Sequence, residues 1–271
     1  MIKISIIGLG FVGSSMFKSF KEKKCNVLGY DKYKESDSLI DCLNTDIMFL
    51  CLPTQFNIEM EEYDKSIIEE LCKTLEKNKY KGIIILKSTV EPGTTDILCD
   101  KYKSLKFIHN PEFLSAKTAY ADFHNQSHIV LGKSKNCEHI DIEKVRSFYN
   151  NYYSSADISI CESIESESMK LFVNCFYSVK IQFFNELYLL CKKQNCCYNT
   201  IKSLMLKNNW INPMHTKVPG SDGKLSYGGY CFPKDTNALL NHMKKLDTPH
   251  KVMQATIEER NSMRDDDINI I

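Results

Sequence analysis

A glycine-rich turn close to the N-terminus limits what this chain can fold into. Residues 2–7, Ile-Lys-Ile-Ser-Ile-Ile, read as a buried strand, and they run straight into Gly8-Leu9-Gly10-Phe11-Val12-Gly13. A helix with Phe17 and Phe20 on one side follows, to about Lys24, and then a short strand over Asn26–Asp31 ends in an acid. Each part has a task in holding a dinucleotide. Gly8 makes the turn, Gly10 lets the pyrophosphate come close, and Gly13 lets the helix pack on the sheet, with Phe11 and Val12 completing the cofactor-binding turn. Asp31 would accept hydrogen bonds from the ribose hydroxyls. Its charge would repel a 2′-phosphate and so favours NAD, while Lys32 beside it leaves NADP open. The plain alternative is a tight turn with no ligand.

The strand–helix alternation continues. Asp46–Leu52 is a strand ending at Pro53-Thr54, and residues 62–78 are helical. Gly82–Leu86 is a strand ending at Lys87-Ser88-Thr89, with another helix opening after Glu91-Pro92-Gly93. Lys106–Ile108, His128–Leu131 and Ile158–Cys161 are further strands, with a helix over 138–152. The pattern predicts an α/β fold with a doubly wound sheet, a Rossmann-like domain over residues 1–162. Ligands in such folds bind beyond the carboxyl ends of the strands. Thr54, Thr89 and Glu112 all fall just past strand ends, as helix caps or as the lining of a shared cleft.

From Ser163 the pattern changes to an all-helical second domain, residues 163–271. A stretch without Gly or Pro runs to about Asn195, with Met169, Phe172, Phe176, Val179, Phe183, Leu187 and Leu190 recurring at helical steps. A helix of this length would span roughly 48 Å, longer than a small domain needs. The seam either buries the second domain or pairs with another subunit, and a homodimer through helix 163–194 is the expectation. Lys170 and Asn174 lie one turn apart on this helix; a surface lysine and a capping-type asparagine are the plain reading. Helices are expected over 198–206, 234–246 and 250–267. Between the first two lies a long irregular stretch including Val218-Pro219-Gly220-Ser221-Asp222-Gly223-Lys224, and loops of that length are usually functional.

That stretch leads into Gly228-Gly229-Tyr230-Cys231-Phe232-Pro233-Lys234-Asp235. Pro233 suits the first turn of a helix, which puts Cys231 at or just before the N-terminus. Backbone N–H groups there favour a thiolate. With Lys234 and Asp235 alongside, the composition is that of an activated nucleophile. A small buried cysteine at a helix start is the alternative.

Bulk properties narrow the function classes. A net charge of +1 gives no reason to expect a nucleic-acid partner or a polybasic membrane face. No run approaches the ~18 apolar residues of a membrane span, and the N-terminus does not read as a signal peptide. Twelve cysteines scattered through apolar runs point to reduced, mostly buried thiols in the cytoplasm. Their spacing gives no zinc site, and no metal is expected.

Seven motifs in order resemble the UDP-glucose/GDP-mannose dehydrogenase family. They are Gly8 to Gly13, Leu52-Pro53-Thr54, Ser88 to Thr94, Asn110-Pro111-Glu112-Phe113-Leu114, Glu167 to Asn174, Phe184 to Leu187, and Gly228 to Thr236. The resemblance implies oxidation of the C6 alcohol of a nucleotide sugar to a carboxylate, with two NAD⁺ reduced per sugar. It implies that Cys231 traps the intermediate aldehyde as a thiohemiacetal and carries the thioester that water cleaves. By the same likeness Lys170 and Asn174 stabilise the oxyanion, against their plain reading. Asp235 orients water or acts as base, Glu112 serves thioester hydrolysis, and Thr89 supplies a hydroxyl near water and nicotinamide. Thr54, Thr89 and Lys234 fall near the cofactor. Glu112, Phe113, Leu114, Lys170, Asn174, Gly228 and loop 220–224 fall where the family holds the substrate.

UDP-glucose is the expected substrate, with another UDP-hexose or a UDP-N-acetylhexosamine as the alternative. Three departures bear on this. Ser115-Ala116-Lys117 stands where family members often carry a second acid, the 218–224 loop departs from Asn-Pro-Ser-Phe-Gly, and the family's further Rossmann-like domain is not expected. A homologue that binds NAD and sugar nucleotide without turnover is the remaining alternative; a two-electron hydroxyacid dehydrogenase would have no use for the cysteine.

Overall fold

Isoleucine-rich runs too apolar to face water build the core of the first of two units. The computed structural model describes residues 2–266. The strands are β1 (Lys3–Ile7), β2 (Asn26–Tyr30), β3 (Ile47–Leu50), the short β4 (Phe56–Asn57) and β5 (Glu62–Tyr63), β6 (Ile83–Leu86), β7 (Lys106–His109), β8 (His128–Lys133) and β9 (Asp157–Glu162). The helices are α1 (Phe11–Glu22), α2 (Leu39–Cys42), α3 (Ser66–Lys77), α4 (Thr94–Lys101), α5 (Ala119–His124), α6 (His139–Tyr152), α7 (Ser163–Lys193), α8 (Tyr198–Leu206), α9 (Phe232–Lys245) and α10 (Lys251–Met263). Two compact units result. The first holds the chain up to Thr54 and Asp64–Lys170; the second holds Gln55–Tyr63 and the described chain from Leu171.

The first unit carries a seven-stranded sheet in the order β2-β1-β3-β6-β7-β8-β9. Successive side chains on a strand point to opposite faces, and here both faces are covered. Ile47, Phe49, Ile83 and Ile85 enter one core with Phe20 of α1 and Phe148 of α6. Met48, Leu50, Ile84 and Leu86 enter another with Ile68 and Leu71 of α3 and Leu98 of α4. Phe20 sits at the centre of the first, 5.5 Å from the rings of Phe123 and Phe148 and 5.8 Å from Phe49. Truncating such a buried ring costs about 3–5 kcal/mol. The sheet is doubly wound as expected, with one departure. β8 runs antiparallel to β7, paired only through Ile108↔Lys133 and His109↔Gly132, whereas every other neighbouring pair in the sheet is parallel.

In the second unit, Phe56 and Tyr63 of the β4–β5 ribbon pack with Leu171, Cys175, Leu239 and Ile257. This ribbon takes the place of the helix start expected at residue 62; α3 begins only at Ser66. Asn57 closes the ribbon by accepting the N–H groups of Glu59 and Met60 at 2.9 and 3.0 Å, a side-chain turn that competes with helix. The expected seam on α7 divides. Val179 and Leu187 join the unit's two cores, but Phe172, Phe176, Phe183 and Leu190 are exposed. Leu171, Cys175, Phe184 and Cys191 are the buried positions instead. Helix α10 stops at Met263, because Arg264 turns extended; residue 267 of the expected helix lies outside the described residues. No helix among the described residues is long and apolar enough to cross a membrane.

Candidate active site

The glycine turn has the shape its sequence predicts. Gly8 adopts φ +91°, and a Cβ there would meet the Cys51 carbonyl oxygen at 2.5 Å. A Cβ on Gly13 would stand 1.9 Å from the Gly8 oxygen, so α1 can lie this close to the turn only without a side chain. Beside Gly10 no atom other than those of its own chain neighbours lies within 4 Å of the Cβ position, which leaves open space over the N-terminus of α1. That terminus has no side-chain cap, so its N–H groups remain for an anion. Phe11 is exposed and Val12 half-buried beside it. Asp31 is fixed in place: Oδ2 accepts from Leu9 N–H at 2.8 Å and Oδ1 from Tyr33 N–H at 2.9 Å. Each oxygen keeps acceptor capacity for ribose hydroxyls. These residues fit NAD.

Along the ends of the strands in the same unit, Thr54 Oγ1 donates to the Thr89 carbonyl at 2.7 Å and Ser88 Oγ to the Leu52 carbonyl at 2.6 Å. Half-buried Glu112 and buried Lys170 form an ion pair, Nζ to Oε1 at 3.1 Å, and Nζ also donates to the Glu112 carbonyl at 2.6 Å. Glu112 Oε2 accepts the Leu114 N–H at 2.6 Å, while Phe113 lies under Lys170 with Nζ 5.5 Å from its ring centre.

Sequence reasoning passed over the support of this corner. Lys87 is buried and gives its ammonium to Asn110 Oδ1 at 3.0 Å and to the Pro111 carbonyl at 3.3 Å. Tyr149 OH donates to the same Asn110 oxygen at 2.5 Å. Burial pushes the Lys87 ammonium down to about 8, with Cys51 and Glu112 opposing. Burial, and then Lys87, push His109 down to about 3. Glu167 anchors the start of α7 by accepting Gly93 N–H, Thr95 N–H and Thr95 Oγ1 at 2.6, 2.7 and 2.5 Å. Burial raises its carboxyl to about 7 despite those bonds. The sequence signals were a lysine closing an otherwise apolar strand and the places of Asn110 and Glu167 in two of the seven motifs.

In the second unit Cys231 is the N-cap of α9 and is exposed, with Pro233 in the first turn. One turn on, the Asp235 N–H donates to the Cys231 carbonyl at 2.9 Å. The Asp235 carboxylate is fully buried. Its Oδ1 accepts Tyr63 OH and Lys234 Nζ, both at 2.5 Å, and its Oδ2 accepts Asn174 Nδ2 at 2.6 Å. Lys234 also stands 4.5 Å over the Tyr63 ring. The structure thus brings Asn174 to Asp235 and turns Lys234 onto the same carboxylate. Cys175 donates its thiol to the Asp235 carbonyl at 3.4 Å, and burial and then the Asp235 charge hold that thiol well above the usual range. Gly228 lies just ahead, with Gly229 at φ +77°.

A parallel-dominated sheet, a glycine turn open over a helix N-terminus and an anchored acid beyond it define an α/β dinucleotide-binding protein of the Rossmann kind. Residues 34–153 match the NAD binding domain, and residues 164–262 the central domain, of the UDP-glucose/GDP-mannose dehydrogenase family. The chain belongs to that family, and NAD is the cofactor its first domain indicates. The chain is 25% identical to a UDP-glucose 6-dehydrogenase of Campylobacter jejuni, over 95% of its own length and 71% of that protein. It is 23% identical to a UDP-N-acetyl-D-mannosamine dehydrogenase of Pyrococcus horikoshii, over 90% of its length and 65% of the relative. Other curated UDP-glucose 6-dehydrogenases are matched over 54% and 47% of their length. The fold superposes on a UDP-glucose dehydrogenase from Pyrobaculum islandicum with TM-score 0.83 at 23% identity, covering 97% of this chain and 68% of that one.

Proposed function

We propose that this chain oxidises the C6 alcohol of a nucleotide sugar to the carboxylate by way of a covalent adduct on Cys231, with UDP-glucose as the substrate. The observation that carries the reading is the buried Asp235 carboxylate, gathering Tyr63, Lys234 and Asn174 one helical turn after an exposed cysteine at a helix N-terminus. NAD supplies the hydride acceptor for both oxidations. The chain's own residues do the rest. Lys170 and Asn174, one turn apart on α7, stabilise the alkoxide as the alcohol gives up its proton to water oriented by Asp235, and loss of the first hydride from C6 leaves the aldehyde. The Cys231 sulfur adds to the aldehyde carbon, which keeps the intermediate from leaving. Loss of a second hydride from that carbon leaves a thioester on Cys231. Water oriented by Asp235, with Glu112 as base, cleaves the C–S bond and returns the thiol. Thr89 orients water near the nicotinamide, and Thr54 and Lys234 serve the cofactor.

Two further parts complete the reading. A second copy of the chain covers the apolar stripe of α7, which otherwise leaves four large side chains in water. Seven buried thiols suit a reducing compartment such as the cytoplasm. The relative named for UDP-N-acetyl-D-mannosamine supports a UDP-N-acetylhexosamine as the second substrate candidate. A panel of nucleotide sugars followed by NADH absorbance tests the reading: turnover of UDP-glucose is expected. Turnover of only an acetylated sugar moves the substrate, and NAD binding with no turnover on any sugar contradicts the activity.

A further inference from the structure

The backbone that delivers Cys231 is gripped by two arginines from the end of α10. Arg264 is buried, and its Nη1 donates to the carbonyls of Leu225 at 3.1 Å and Ser226 at 3.3 Å. Its Nη2 pairs with Asp222 and its Nε with Asp266, both at 2.7 Å. Arg260, also buried, gives its Nε to the Tyr227 carbonyl at 3.3 Å. Successive carbonyls from Leu225 to Tyr227 are thereby held by guanidinium donors. The opposite side is held as well: Ser226 N–H donates to Asn185 Oδ1 at 2.9 Å and Ser226 Oγ to Gln182 Oε1 at 2.5 Å. Next in the chain is Gly228. A Cβ there would stand 2.4 Å from Arg264 Nη2 and 2.7 Å from its Cζ. The guanidinium occupies the volume that any other residue's side chain would need. A lysine has neither the planar fork nor the donor count to replace it.

We propose that Arg264 is a positioning residue for Cys231: seated in the gap at Gly228, its guanidinium fixes the Leu225–Gly228 backbone and so holds the cysteine at the N-terminus of α9. The inference rests on the reading of Cys231 as the nucleophile. It accounts for a glycine at position 228, where a Cβ would have to push the guanidinium aside, although Gly228 itself does not need a positive φ.

Alkylation of the full chain by iodoacetamide, followed peptide by peptide in a mass spectrometer, tests it. A cysteine placed at a helix N-terminus reacts faster because the positive end of the helix dipole favours its thiolate. Arg264→Lys and Arg264→Ala should each slow alkylation of Cys231 at neutral pH by at least about threefold. Cys196 and Cys197, exposed on the same unit, should react as in the parent, and buried Cys175 and Cys191 should stay protected. Gly228→Ala, which puts a Cβ into the seat while keeping both arginines, should give the same signature, and combining it with Arg264→Ala should add nothing. It also decides the matter if Arg264→Ala does not fold. An unchanged Cys231 rate in either variant overturns the proposal, as does a signature in which Cys175 and Cys191 become reactive together with Cys231. Because alkylation needs no substrate, a parent protein without turnover would count against the dehydrogenase reading alone. Where turnover is present, kcat should fall while KM for NAD holds.

Discussion

Asn174 Nδ2 lies 2.6 Å from Asp235 Oδ2, and with Tyr63 and Lys234 on Oδ1 the buried carboxylate has donors on both oxygens. This is an acceptor site built for a charged group. Asp235→Asn would turn an amide N–H₂ toward one set of these donors and leave Lys234 without its counter-charge. We expect it to destabilise the protein by about 3–5 kcal/mol in denaturant unfolding. Asn174→Ala, which removes one neutral donor and keeps the ion pair, should cost about 1–3 kcal/mol. Equal losses in the two variants would contradict this account of Asp235.

Gly10 and Gly13 should separate cofactor binding from folding. A Cβ on Gly13 collides with backbone at 1.9 Å, whereas a Cβ on Gly10 meets nothing beyond its own chain neighbours within 4 Å. Gly13→Ala should therefore lower both thermal stability and NAD affinity. Gly10→Ala should keep the parent's melting temperature and still weaken NAD by at least about tenfold, roughly 1.4 kcal/mol, by filling the space over the helix N-terminus. Fluorescence titration with NADH gives the affinities, and an unaffected Gly10→Ala would contradict the placement of the pyrophosphate there.

Lys87 predicts an alkaline gain in stability. Burial lowers its ammonium from 10.5 to about 8. Below that value it is charged both folded and unfolded, and burying the charge costs about 3 kcal/mol. Between about 8 and 10.5 the unfolded chain binds a proton that the folded chain has released, so stability contributed at this site rises with pH. Lys87→Met has no such group. The parent's unfolding free energy should gain on the variant by about 3 kcal/mol across that window, with other titrations cancelling in the difference. A flat difference would contradict the buried charge.

The stripe on α7 predicts self-association. Phe176 is 63% and Phe183 51% exposed, more apolar surface than an isolated helix face normally leaves in water. The parent should sediment as a dimer, and Phe176→Glu with Phe183→Glu should sediment as a monomer with its melting unit intact. A parent that sediments as a monomer would contradict the proposed pairing.

How much of this was legible in the sequence follows from how local each feature is. The glycine turn and Asp31 could be read because one strand, one turn and one strand end carry them within a short span. The length of α7 was legible from its lack of Gly and Pro. Its facing was not, since Phe172, Phe176 and Phe183 repeat with the same helical period as buried Leu171, Cys175 and Phe184. The β4–β5 ribbon has two-residue strands, too short to show alternation. The reversal of β8 leaves no mark in its composition, because a buried strand is equally apolar in either direction. Tyr63 on Asp235 and Lys87 on Asn110 join residues remote in sequence, and only tertiary packing brings them together.

The central claim is that Cys231 carries the sugar between two oxidations, and product stoichiometry tests it most directly. With UDP-glucose and NAD⁺ the parent should yield two NADH for each molecule of sugar acid released, and Cys231→Ser should stop release of the acid. A Cys231→Ala variant that released acid at the parent's rate, with the same two NADH, would contradict the covalent mechanism.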